Sequence, residues 1–521
     1  MIRVGIDVGG TNTDAAVMDG DRVLGAVKRP TSEDVLTGVV DAIGAVIAES
    51  GVAPAQVEAV MIGTTQFTNA VIERRRLAKT AVLRLGLPAT ASVPPFEDWP
   101  EDLRSAIGGV SAIVHGGREF DGRTISEVDP AEILSTVSRW AEEGVEAMAV
   151  SAVFSPAYPE QERQVVSLIE GEFPQLDVVA SGDIGGLGLL ERENAAALNA
   201  SLRPFARKVV EAFRGGVARH APGAAMYITQ NDGTLIGAEV AERFPVLTFA
   251  SGPTNSMRGA AFLSGVQDAL VLDVGGTTAD IGAIAGGFPR ASAVAATFAE
   301  VRTNFRMPDL LSFGLGGGSL VRGEEPAIGP DSVGYRIASE ALVFGGGTLT
   351  ATDLAVAGGM AEIGDPAAVA GLDPRLVSRG IASMRAMVED ALDRMRTSRE
   401  DQPVIVVGGG SILVPGELAG AARVIRPPHF EIANAVGAAI AQVSGEFDAV
   451  QALDRSREEL LADAVRIATD EAVAQGADPE SVRVVELEEI PVAYVDGAMT
   501  RIRAKVVGEL RRSSDAPAPA I

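Results

Sequence analysis

The 521-residue sequence predicts an α/β fold in which two halves, each carrying the same glycine turn, face one another across a cleft. Three observations lead there. Strand-like apolar runs alternate with helical patterns along most of the chain. The composition is 47% hydrophobic but only 4% aromatic, the aliphatic mix that packs α/β layers. One short segment also occurs twice. Asp7-Val8-Gly9-Gly10-Thr11-Asn12-Thr13-Asp14 and Asp273-Val274-Gly275-Gly276-Thr277-Thr278-Ala279-Asp280 share Asp-Val-Gly-Gly-Thr and a trailing Asp at the same offset.

Taken in order, strands are expected at 2–6, 15–18, 23–27, 57–62 and 80–83. A helix across 32–49 starts from Thr31-Ser32-Glu33-Asp34, which offer capping hydroxyls and first-turn acids. Pro88, Pro94, Pro95 and Pro100 predict a long loop over 88–109. A helix over 130–144, a strand over 145–150, a helix over 160–171 and a strand over 177–180 close the first half. The second half opens with a helix over 187–214, interrupted or kinked at Pro204. Strands follow at 225–229 and 245–249, then a turn at Ser251-Gly252-Pro253. Ile381, Met384, Val388, Leu392 and Met395 keep helical spacing over 374–396, where Asp373-Pro374 supply N-cap and N1. A strand at 403–407 runs into Gly408-Gly409-Gly410-Ser411, and a helix over 431–443 follows. A small strand pair, 490–495 with 501–507, precedes a tail over 511–521 expected to be disordered. The domain expectation is 1–183, 184–448 and a small C-terminal region, 449–521.

Each repeated segment reads as strand, tight glycine turn, strand. Paired glycines let backbone N–H groups approach an anion, Thr adds a hydroxyl, and Asp can hold a hydrated Mg²⁺. Two such turns facing each other would clamp the phosphates of ATP. Gly9, Gly10, Thr11 and Asn12 are expected on one side and Gly275, Gly276, Thr277 and Thr278 on the other. Asp7 and Asp273 would approach Mg²⁺ and carry the catalysis, together with Asp280. Asp14 and Asp280 can reach the ion or the attacking oxygen, or simply fix their hairpins; Asp280 is favoured for function. Gly408, Gly409, Gly410 and Ser411 have the strand-turn order expected beside a base and ribose. No G-x-x-x-x-G-K-[ST] is present, and Gly314-Leu315-Gly316-Gly317-Gly318-Ser319 is not a clean dinucleotide fingerprint.

A net charge of −26 argues against nucleic acid or anionic membrane as a partner. The absence of Cys excludes disulfides, thiolate nucleophiles and iron–sulfur clusters, and three His argue against a histidine-rich hydrolytic metal centre. The first residues enter a strand without a signal-peptide pattern, and no apolar run approaches membrane-spanning length. A soluble cytoplasmic protein is the expectation. His115 is a minor catalytic candidate, and Arg74-Arg75-Arg76 reads as a solvated helix end.

The paired hairpins resemble the actin, sugar kinase and heat-shock chaperone ATPase architecture. That implies two duplicated actin-like (ribonuclease H-like) ATPase domains closing on ATP. A narrower resemblance runs along nearly the whole chain. Gly63-Thr64-Thr65-Gln66-Phe67-Thr68-Asn69-Ala70-Val71-Ile72-Glu73-Arg74, Asn194-Ala195-Ala196-Ala197-Leu198-Asn199-Ala200, Ser251-Gly252-Pro253, Gly316-Gly317-Gly318-Ser319 and Thr350-Ala351-Thr352-Asp353 follow the motif order of the hydantoinase A / 5-oxoprolinase family.

The resemblance implies Mg-ATP-dependent opening of a cyclic amide such as a hydantoin or 5-oxoproline, or carboxylation of a ketone. Gly63, Thr64, Thr65 and Asn69, at a helix start after a strand, become substrate candidates. It further implies an oligomer with a hydantoinase B-type partner subunit that completes hydrolysis. The sequence departs from the pattern in being shorter than the usual A subunits. It also lacks a Pro-Gly-Pro-Ala-Cys stretch, whose place 335–347 takes. Substrate identity and partner type stay open. A ketone carboxylase subunit, a non-catalytic actin- or chaperone-like ATP-binding protein and a simple sugar kinase are the alternatives.

Overall fold

The computed structural model describes residues 1–9, 12–30, 35–292, 296–492 and 499–511. The first sheet is built around β1 Ile2–Val8, β2 Asn12–Asp19, β3 Arg22–Pro30, β4 Val57–Thr64 and β5 Ala225–Thr229. These lie in the order β5-β4-β1-β2-β3, antiparallel from β1 to β3 and parallel from β1 through β4 to β5. The second sheet contains β6 Ala269–Val274, β7 Ala279–Ala285, β8 Leu310–Phe313, β9 Gln402–Val407 and β10 Ala421–Ile425. Its pairings run β10-β9-β6-β7-β8 with the same senses. Strand order and polarity are therefore common to both sheets. The central strands β1 and β6 are covered on both faces, which is why Val4-Gly5-Ile6 and Leu270-Val271-Leu272 read as unbroken apolar runs.

The first sheet continues beyond β5 through Leu235–Gly237, Val443–Ala452, Met499–Gly508 and the edge strand Arg483–Pro491. The expected small C-terminal strand pair is thus the end of a nine-stranded sheet. Sheet membership also crosses the sequence boundary drawn at 183/184, because β5, Leu235–Gly237, Val443–Ala452, Arg483–Pro491 and Met499–Gly508 return to β1's sheet. The second boundary, at 448/449, falls inside the strand Val443–Ala452. Because Val443 begins that strand, the helix expected over 431–443 is confined to Ala433–Ala439. Thr31, Ser32, Glu33 and Asp34, read as the start of the first helix, lie outside the described residues, as does nearly all of the tail expected to be disordered.

A separate all-parallel sheet of Val110–His115, Thr80–Leu87, Ala147–Ala152 and Asp177–Ala180 is flanked by the helices Pro130–Glu142 and Glu160–Glu172. Within the proline-rich stretch read as loop, Glu101–Ala106 forms a short helix with Pro100 at its N-cap, where a missing N–H costs nothing.

Three helices matter for the cleft: α1 Leu189–His220, α2 Ser251–Ser264 and α3 Ala433–Ala439. Helix α1 is continuous through Pro204, so the interruption expected as one of two outcomes there does not occur. Every residue from Arg192 to Leu202 is buried, so packing outweighs the roughly 3 kcal/mol cost of an interior proline. The expected strand at 245–249 is a short 3-10 turn, Pro245–Thr248, and Ser251-Gly252-Pro253 opens α2 rather than forming a turn. Proline within a first helical turn displaces no intrahelical bond. Helices α2 and α3 cross backbone to backbone. A Cβ on Gly259 would sit 1.8 Å from the Ala433 carbonyl oxygen, and one on Gly437 1.8 Å from that of Asn255, so only glycine permits the crossing. The crossing leaves Asn255, Ser256 and Asn434 beside the aspartates that end β1 and β6.

Candidate functional site

Both repeated turns leave their strands in the same way. Asp7 stands opposite Asp14 and Asp273 opposite Asp280. The Gly9 N–H donates to the Asn12 carbonyl at 2.9 Å, and the Gly275 N–H donates to the Thr278 carbonyl at 2.9 Å. A glycine also abuts each aspartate, Gly63 from within the neighbouring parallel strand and Gly408 from just past the end of its counterpart. A Cβ on Gly63 would fall 2.4 Å from Asp7 Oδ1, and one on Gly408, whose φ is +86°, 2.2 Å from Asp273 Oδ1. The second turn is braced from behind: Gly317 N–H donates to the Gly275 carbonyl at 3.0 Å and Gly318 N–H to that of Gly276 at 2.8 Å.

A cleft of about 1000 Å³ lies between the sheets, with Asp7, Gly9, Asn12 and Lys28 from one side and Asp273, Gly275, Thr277 and Asp280 from the other. Asp7 is buried, and its two oxygens accept from the side-chain amides of Asn255 at 2.9 Å and Asn434 at 3.0 Å. Asn434 also donates to Asp14 at 2.8 Å, and Lys28 pairs with Asp14 at 3.0 Å. Asp273 Oδ2 accepts from the Ser256 hydroxyl, and Asp280 Oδ1 accepts from that of Ser312.

Burial is the main influence on these acids. It pushes Asp7 up to about 6 against the lowering pull of its two amides, with Asp14 and Asp273 adding repulsion. Burial also raises Asp280 to about 6 and raises Asp273, while Ser312, and Ser256 with Lys28, respectively oppose it. Asp7, Asp14, Asp273 and Asp280 thus share one cleft with Lys28, an excess of negative charge that a cation would relieve. Among the described residues no group of three or more metal-type ligands converges. The carboxylates of this cleft fit a divalent cation that keeps several of its own waters.

With this geometry in place, comparison with known proteins decides the family. Residues 3–173 match the hydantoinase/oxoprolinase N-terminal region, and residues 192–362 match the hydantoinase/oxoprolinase domain. The chain belongs to the hydantoinase/oxoprolinase family. It is 26% identical over 380 residues to the caprolactamase subunit alpha of Pseudomonas jessenii, covering 67% of this chain and 53% of that protein. To the acetophenone carboxylase gamma subunit of Aromatoleum aromaticum it is 24% identical over 385 residues, covering 67% and 52%. The chain spans about half the length of the curated relatives it matches. The crystal structure of the ATP-dependent caprolactamase from P. jessenii shares its fold at a TM-score of 0.73 and 18% identity, covering 100% of this chain and 89% of that one. Nucleotide-free acetone carboxylase does so at 0.70 and 17%, with the same coverage.

Within this family member, Asp7, Gly9, Asn12, Thr65, Asp273, Gly275, Gly276, Thr277, Thr278, Asp280, Gly408 and Gly409 line the cleft. Gly10 and Thr11 lie outside the described residues. Gly63, Thr64, Asn69, Gly410 and Ser411 stand behind the lining instead. Thr64 N–H donates to Ser251, Asn69 donates to Thr65 Oγ1 at 3.4 Å, and the Gly410 N–H donates to the Val274 carbonyl at 2.7 Å. Thr65 itself donates to the Val8 carbonyl at 3.1 Å, tying the 63–69 segment to the first turn. His115 is exposed, pairs with Glu132 at 3.0 Å and does not line the cleft. Among the Arg74-Arg75-Arg76 run, Arg74 pairs with Asp102.

Sequence reasoning missed Asn255, Ser256, Lys28, Ser312 and Asn434. Asn255 and Ser256 come one residue after the Ser251-Gly252-Pro253 motif, and reading that motif as a helix start would have pointed to them. Lone Lys28, Ser312 and Asn434 carry no local signal. Among the described residues no helix is long and apolar enough to cross a membrane.

Proposed function

We propose that this chain is the ATP-using component of an enzyme that opens a cyclic amide. The observation that carries the proposal is the matched pair of turns, each with an aspartate at its base, on one cleft. ATP would lie with its phosphates between the turns at 9–12 and 275–278 and its adenosine toward 408–411. The shared strand order of the two sheets supports reading them as duplicated actin-like ATPase halves. Asp7 and Asp273 would hold Mg²⁺ through its waters; when bound, the ion neutralises charge on the transferring phosphate.

Asp280, beside Asp273, would orient the reacting oxygen, and Thr65 would position the substrate. The amide oxygen attacks the γ-phosphorus as the bond to the ADP oxygen breaks and ADP leaves. Water then adds to the phosphorylated carbon, the ring C–N bond breaks, and a second water frees phosphate from the acyl phosphate. A low-histidine chain is suited to the first step alone, and two curated relatives it matches are named as subunits, which supports a hydantoinase B-type partner for the rest. A heteromeric, cytoplasmic assembly is part of the same proposal.

ADP formation is measured with hydantoin, 5-oxoproline or caprolactam, with and without a co-expressed partner. Ring opening matched to ADP is expected, and both are lost in Asp273→Ala. The similarity to acetophenone and acetone carboxylases favours one second reading, phosphorylation of a ketone. Bicarbonate-dependent appearance of a keto acid, without ring opening, would install it in place of the first.

A further inference from the structure

A second cavity, of about 660 Å³, opens between the two sheets and shares no lining residue with the cleft. Arg258 of α2, Phe288 of the short strand after β7, and Arg483 of the edge strand all line it. Arg258 is only 8% exposed. Its Nη1 donates to the Gly287 carbonyl, while its Nε is buried with no hydrogen-bond partner. Among the described residues neither Arg258 nor Arg483 has an ion-pairing carboxylate, although the chain carries 70 acidic residues against 44 basic ones. Both guanidinium groups lie over the Phe288 ring, 3.8 Å and 5.6 Å from its centre. Contact with the ring engages the guanidinium faces and leaves the N–H edges for an in-plane acceptor.

The acids of this cavity have other roles. Glu509 accepts from Arg3 at 3.2 Å and from Gln442 at 2.7 Å, and Asp478 accepts from the Glu480 N–H at 3.1 Å. Asp21 stands on the exposed turn between β2 and β3. Burial and the nearby Arg483 hold Arg258 down at about 10, against the raising pull of Glu509, so it is still charged at neutral pH. A buried charge with no carboxylate at ion-pairing distance among the described residues is a costly arrangement for a fold that gains nothing from it.

We propose that this cavity is a second ligand site that takes a small oxyanion, phosphate or carboxylate, in the fork between Arg258 and Arg483. A planar or tetrahedral oxyanion can accept from the two guanidinium edges at once, supplying the missing acceptor for Arg258 Nε. The site is independent of nucleotide chemistry in the cleft.

Isothermal titration of the full chain with inorganic phosphate, and separately with acetate, tests this and distinguishes the two anions. Saturable binding of at least one is expected, weakened at least ~10-fold in Arg483→Gln, as for loss of a charged hydrogen bond. It is abolished in Arg258→Met. Arg483 is exposed on an edge strand, so Arg483→Gln retains the native thermal melt and remains decisive even if Arg258→Met fails to fold. Neither residue lines the cleft, so phosphate held there would be unaffected by the variants. Binding that is unchanged in Arg483→Gln, or no saturable binding of either anion, overturns the proposal.

Discussion

The two hairpins share register and the hydrogen bond that closes each of them, yet their aspartates are held differently. Asp7 has both oxygens occupied by side-chain amides, one from α2 and one from α3. Asp273 accepts one hydroxyl, from Ser256, and its other oxygen accepts no hydrogen bond among the described residues. Under the proposed function, this difference would divide the labour. A carboxylate with both oxygens committed is a fixed charge that orients water; one with a free oxygen can approach an ion or a phosphate-bound water more closely. The backing differs too, since the second turn is braced by Gly317 and Gly318. The first is reached through Thr65.

Replacing each aspartate breaks the comparison most directly. Asp273→Ala should lower ATP turnover by ~100-fold or more, the scale of removing one preorganised charge contact. Asp7→Ala should cost less, with circular dichroism confirming that both variants fold. Equal losses would mean that the two carboxylates act as one unit. Next come the glycines. Gly408→Ala meets the Val274 carbonyl at 2.4 Å and a positive φ, whereas Gly63→Ala meets only side-chain ends, Asn255 Nδ2 at 2.3 Å and Asp7 Oδ1. Urea unfolding should show a loss of about 2–3 kcal/mol for Gly408→Ala and a smaller one for Gly63→Ala. If Gly63→Ala proved the costlier, the amide clamp on Asp7 would be stiffer than the backbone around Asp273.

The hydroxyl and amide supports come third. Asn434→Ala leaves Asp7 and Asp14 each short of a donor, and should raise the Kd for an ATP analogue by ~10-fold; Ser256→Ala affects one oxygen only and should do less. The smallest effect is expected for Lys28→Met, a part-exposed partner of Asp14, at about 1 kcal/mol or less of analogue binding by calorimetry.

Much of this was legible in the residues. The repeated Asp-Val-Gly-Gly-Thr segment predicted two strand-turn-strand units, because glycine turns between apolar runs are set by local backbone preference. The strands at 177–180 and 225–229 and the helix from Pro374 were likewise readable from local pattern. Helix α1 shows the limit: Pro204 signals a break or a kink locally, and only the burial of 192–202 explains why the helix is not interrupted. The same holds for Ser251-Gly252-Pro253, turn-like as a tripeptide but helical once α2 packs on α3.

Sequence alone determined the paired carboxylates at the tips of β1 and β6, the family, and the lack of cysteine in this chain, since each depends on residue type and short-range spacing. Tertiary structure decided which side chains support those tips. Asn255, Ser256 and Asn434 reach Asp7 and Asp273 only because two glycines let α2 and α3 touch, a contact between segments far apart in the chain that no local pattern encodes. It also decided that the last strands rejoin the first sheet, because backbone hydrogen bonds are satisfied by whichever edge the fold brings near.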